Sequence, residues 1–173
     1  MSRTILAAMT VAVASFVPSA VGAQARSLGV FADLAGEWDG EAWMMRPEGR
    51  VTVRQREWVW PEAGGTIVAV RGLGTREHAA GLDTVHAAFA VIHRNRENTG
   101  IQMRAFTAEG HWLDPEIALT EKGYTWKMFD PRAGHIRYDM FIDDQGRWVE
   151  NGYMSRDEGK TWMQFMGMVL RRQ

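Results

Sequence analysis

The chain has 173 residues, 20 lysines and arginines against 21 aspartates and glutamates, and no cysteine. The missing cysteines exclude disulfides, thiol catalysis, cysteine-ligated metals and a lipidated cysteine anchor. The balanced charge offers no basic patch of the kind that tracks phosphates, which argues against nucleic acid as a partner.

Residues 1–25 read as a signal peptide. Arg3 gives a positive start, Ile5 to Val17 form an apolar run short for a membrane span, and Pro18 precedes two small-residue cleavage sites, Val21-Gly22-Ala23 and Ala23-Gln24-Ala25. The expected product is periplasmic or secreted, with no membrane anchor after cleavage. Residues 26–173 suffice for one domain with an ordinary core.

Leu28 to Ala35 predicts a short helix, stopped by Gly36. Beyond it the chain breaks into strand-length pieces rich in aromatic and β-branched residues: 37–45, 50–60, 65–74, 85–94, 100–107, 111–119, 123–129, 134–142, 147–154 and 161–171. Turn chemistry separates them, as in Pro47-Glu48-Gly49, Glu121-Lys122-Gly123, Asp130 to Gly134 and Asp143 to Gly146. Residues 75–84 form the longest polar connection. Strands joined so tightly pair with their neighbours as an antiparallel meander, and closure removes the exposed edges. The expected fold is all-β, a single antiparallel up-and-down β-barrel of about ten strands with a short N-terminal helix.

Alternation sets the facings. In 50–60 the arginines belong in water, so Val51, Val53, Gln55, Glu57 and Val59 turn inward, and Thr52, Arg54, Arg56, Trp58 and Trp60 outward. In 134–142, Ile136, Tyr138, Met140 and Ile142 turn inward. The next strand has two solutions. A three-residue loop at 144–146 pairs Ile142 with Trp148 and points Trp148 and Glu150 inward, whereas a four-residue loop reverses them.

Ser155-Arg156-Asp157-Glu158-Gly159-Lys160-Thr161-Trp162 resembles the Asp-box turn of sialidases and other β-proteins. Its Ser155, Asp157, Gly159 and Trp162 are expected to build a hairpin turn rather than a catalytic site. At the other end, Leu34-Ala35-Gly36-Glu37-Trp38 resembles the opening of the lipocalin-like, or calycin, barrels. That resemblance implies Trp38 as a plug at one end of the barrel, under Arg171 or Arg172 from the last strand. More narrowly, the chain is similar to uncharacterised exported bacterial proteins of this type. The heme-binding, nitrobindin-like branch requires a histidine entering the barrel from a late strand. The last histidine, His135, falls on the outward set, so no heme or other cofactor is expected. His86 and His93 are seven apart on one strand and face opposite ways, so no metal site is expected either.

Eight tryptophans and eleven methionines supply a large core or an adaptable pocket. The leading expectation is a binding protein for a small, largely apolar or amphipathic molecule. Its ligand residues would be Gln55, Glu57, Tyr138, Met140, Trp148 and Glu150. Two alternatives stand beside it. A filled barrel would be an interaction module or homodimer using Trp43, Trp58 and Trp60 on its surface. An enzyme would use interior carboxyls with Tyr138 and Arg71 or Arg104 for acid–base chemistry.

Overall fold

The computed structural model describes residues 28–173, so the expected signal peptide lies outside the described residues. A short helix, α1 (Val30–Asp33), leads into β1 (Gly36–Arg46), β2 (Gly49–Glu62), β3 (Ile67–His78), β4 (Gly81–Arg94), β5 (Ile101–Thr107) and β6 (Trp112–Leu113). There follow β7 (Glu116–Leu119), β8 (Gly123–Asp130), β9 (Gly134–Ile142), β10 (Trp148–Ser155) and β11 (Met163–Arg172). The strands form one antiparallel up-and-down sheet, ordered β6-β5-β4-β3-β2-β1-β11-β10-β9-β8-β7 and curled into a half-barrel. Pairing of β1 with β11 joins the first strand to the last.

Two expected segments are redrawn. Strand 111–119 is two strands, because β6 pairs with β5 and β7 with β8, with Asp114-Pro115 between them. Proline has no N–H to offer a ladder, so the sheet breaks there. A cleft of about 700 Å³ opens along this seam, lined in part by Met103, Arg104, Asp114, Pro115 and Ile117. The polar segment 75–84 is not a loop over the barrel. It is the tip of the β3–β4 hairpin, which stays paired to His78 and Gly81 after a bulge beside Gly74. A polar tip is compatible with strand pairing where both faces meet water.

The concave face holds the core. Trp38, Ala42, Val53, Val59, Val68, Ile92, Met103, Tyr124, Met140, Trp148, Met168 and Leu170 form one buried cluster with Leu28, Phe31 and Leu34. The segment around α1 caps this cluster, with the Phe31 ring 4.6 Å from that of Tyr124. Trp38 Nε1 donates to the Leu34 carbonyl at 2.8 Å. The Arg172 guanidinium lies 4.4 Å from the Trp38 ring centre and donates to the carbonyls of Ala35 and Asp33. Arg171, the other candidate for this place, is excluded by register. Trp38 pairs with Arg172, and the residue beside it pairs with Asp39 on the opposite face.

Candidate functional site

Gln55 and Glu57 sit on alternate inward positions of β2 and are 4% and 8% exposed. Glu150, 9% exposed, faces them from β10. Its facing is settled by the β9–β10 turn. Asp143 Oδ1 accepts from the backbone N–H of Gln145 and Arg147, both at 3.0 Å, and Oδ2 accepts from Arg147 Nε at 2.7 Å. Gly146 takes φ 70°, which suits glycine at the end of a three-residue loop. Ile142 therefore pairs with Trp148, and Trp148 and Glu150 both point inward.

Gln55 Nε2 donates to Glu57 Oε1 at 2.7 Å. Both side chains lie across β3, over Gly72 and Gly74. A Cβ on Gly72 would come within 2.7 Å of Glu57 Oε1, and one on Gly74 within 2.8 Å of Gln55 Oε1. These glycines make the cradle that the polar pair occupies. Burial pushes the Glu57 carboxyl up to about 8, with the Gln55 amide pulling it partly back and the Glu150 charge adding to the rise. Burial likewise pushes Glu150 up to about 7, against the Trp126 and Trp148 indoles that face it. Trp148 Nε1 is not in hydrogen-bonding geometry with that carboxyl and is left buried without an acceptor. Among the described residues, neither glutamate takes part in a salt bridge.

One wall of the interior is aromatic. Trp126 stacks on Tyr138 with ring centres 3.9 Å apart, and Phe165 meets Tyr138 edge-on at 5.8 Å. Trp148 meets Trp38 edge-on at 5.7 Å. Burial, then the Glu150 charge, pushes the phenols of Tyr124 and Tyr138 above their usual range. The facing wall is small: Gly72 pairs with Ala88, Val70 with Ala90, and Ala90 with Ala105. Val70, Ala88, Ala90, Ala105, Trp126 and Tyr138 face inward yet are only half-buried. In a filled interior such positions would be covered, so solvent enters the concave side.

All six expected ligand residues, Gln55, Glu57, Tyr138, Met140, Trp148 and Glu150, lie on this face. Tyr124, Trp126, Gly72 and Gly74 belong with them and were missed. The alternation of Tyr124 and Trp126, and of two glycines opposite Gln55 and Glu57, was the available signal. Neither interior arginine exists. Arg104 is exposed and pairs with Asp114 at 2.5 Å, and Arg71 is exposed over Trp58, because both fall on outward positions. His86 lies on the inward side at the open end of β4, where desolvation lowers its imidazole pKa although it remains exposed. His93 and His135 face outward.

The Asp-box is a closed network. Ser155 Oγ donates to Asp157 Oδ1 at 2.8 Å and accepts from the Gly159 N–H at 2.8 Å. Asp157 also accepts from Thr161, through its N–H at 2.9 Å and its hydroxyl at 2.6 Å. Trp162 Nε1 donates to the Gly159 carbonyl. These bonds hold the β10–β11 hairpin.

On the convex face, register lines up Trp58, Arg71, Phe89, Phe106 and Trp112 across five strands, with Trp60 beside Phe89. Trp43 stands apart, over Gly167 and under Arg50, so the three surface tryptophans do not form one patch. The chain matches no known protein family, and no curated protein is significantly similar to it in sequence.

Proposed function

We propose that this chain is an exported, calycin-like protein that carries a small amphipathic molecule on the concave face of its half-barrel. One observation carries the reading: inward aromatic and small aliphatic side chains that stay half-exposed, around a buried polar cluster of Gln55, Glu57 and Glu150. A few placed polar groups in a largely apolar concavity are the usual composition of a ligand site. Trp126, Tyr138, Trp148 and Met140 would hold the apolar body, and the glutamates its polar head. No cofactor or metal enters this reading. The test is native mass spectrometry of protein purified from its own host, compared with its denatured mass. A reproducible extra mass lost on denaturation is expected, and a bare monomer mass, joined to no quenching of tryptophan fluorescence by amphipathic probes, contradicts it.

A second reading rests on the convex row of Trp58, Phe89, Phe106 and Trp112 with Arg71. Aromatic residues and arginine are enriched where proteins meet. Under that reading the same spectrum shows a dimer that Trp112→Ala dissociates.

A further inference from the structure

We infer that the molecule held in the half-barrel is an organic cation, an amine with an apolar body, whose ammonium group sits between Glu57 and Glu150. The inference rests on the binding reading above and specifies its ligand.

Three independent features point the same way. First, the interior sets two carboxyls near each other, and no cation among the described residues makes a salt bridge to either. β2 supplies Glu57, β10 supplies Glu150, and the titratable groups on the inward sets around them include Tyr124 of β8, Tyr138 of β9, His86 and Arg94 of β4, and Arg172 of β11, which lies over Trp38. The exposed arginines of β3 and β5 face the opposite side. A buried carboxyl pair lacking a counter-charge holds protons instead, and an incoming cation replaces them.

Second, the contacts already made to these carboxyls come from donors. Gln55 Nε2 bonds Glu57, and the Trp126 indole opposes the rise of Glu150. Trp148 Nε1, in a side chain 2% exposed, faces Glu150 and has no acceptor. An unpaired buried donor beside the carboxyl marks this end of the interior as polar and incompletely bonded. With donors fixed on the protein side, the remaining lone pairs are acceptors, and they select a ligand that donates. An anion would find no such match.

Third, the wall beside Glu150 is the stacked pair Trp126 and Tyr138, with Trp148 and Tyr124 around it. Aromatic faces attract a desolvated ammonium and give a neutral head no comparable gain. Binding then balances simply. The ammonium enters with its charge, and a carboxyl releases its proton to solvent.

The test uses three probes with one apolar body: 2-phenylethylamine, 2-phenylethanol and phenylacetate. Calorimetric titration near pH 7, in two buffers of different ionisation enthalpy, reads affinity and proton release together. The amine is expected to bind about 30-fold or more tightly than the alcohol, the scale of one desolvated charge pair, and to release close to one proton. Glu150→Gln and Glu57→Gln should each abolish that preference and the release. Trp126→Phe, which keeps an aromatic face but removes the indole N–H, should reduce the preference only in part, and near-ultraviolet circular dichroism checks that each variant is folded. Equal or tighter binding of the alcohol or the acid overturns the inference and leaves a binding protein. A natural ligand without a basic nitrogen does the same. If no probe binds and no natural ligand is retained, the binding reading fails with it.

Discussion

Two acidic sites in this molecule stand in opposite chemical states, and the contrast explains what each is for. Asp157 lies at the surface in the β10–β11 turn and is saturated with donors: the Thr161 hydroxyl, the Thr161 N–H and Ser155 Oγ hold its carboxyl down to about 2. Glu57 and Glu150 lie in the half-barrel, where burial outweighs their few donors and pushes them up to about 8 and about 7. Three donors around one exposed carboxylate complete a turn and leave nothing for a ligand. Two buried carboxyls with a vacant indole donor leave bonds still to be made. The same residue chemistry is thus finished in one place and open in the other.

The largest expected effect breaks the open site. The folded protein holds the Glu57 and Glu150 protons more tightly than the unfolded chain, whose carboxyls titrate near 4.5. Stability should therefore fall as pH rises from about 4.5 toward 8, by up to ~1.4 kcal/mol per pH unit for each group. Replacing both glutamates by glutamine should flatten that fall and stabilise the protein at pH 8 by on the order of 3 kcal/mol. Urea denaturation across the pH range checks both. Asp157 has the opposite sign: its contribution is present above its ordinary value near 3.8 and is lost as pH falls toward 2.

A smaller effect sharpens the geometry. Gly72→Ala puts a Cβ against the Glu57 carboxyl, which can swing away because it ends a flexible side chain. The expected cost is about 1–3 kcal/mol, together with a changed Glu57 titration, whereas alanine at an ordinary inward position leaves that titration alone. Smaller again, Ser155→Ala removes the bonds to Asp157 and Gly159 and should cost about 1–2 kcal/mol in thermal unfolding without altering ligand binding. Arg172→Ala should cost about 0.5–1 kcal/mol through the lost contact with Trp38, with Arg171→Ala as the neutral control.

The facings of β2 and β9 are legible because apolar residues alternate with arginines in β2 and with His135, Arg137 and Asp139 in β9, which places Gln55, Glu57 and Tyr138 on the inward face. The facing of Glu150 was not, since it depends on one residue of loop length, and only the Asp143 network decides it. Gly72 and Gly74 escaped notice because a glycine in a strand announces close approach without saying what approaches. The break at Pro115 was visible as a residue, but the partner change around it is a long-range fact. The choice of Arg71 or Arg104 as an interior partner has no register behind it, and pairing with Phe89 and Val91 puts both outside.

The central claim is that the half-barrel holds a buried carboxyl pair without a salt-bridged cation among the described residues. Carbon-13 NMR of the glutamate side-chain carboxyls, titrated from pH 4 to 10 and assigned with Glu57→Gln and Glu150→Gln, tests it most directly. Two carboxyls titrating near 8 and near 7, both dropping when 2-phenylethylamine is bound, are the predicted result. Titration of every glutamate near 4.5 would contradict it, and the interior would then be an ordinary wet surface with no vacancy for a ligand to fill.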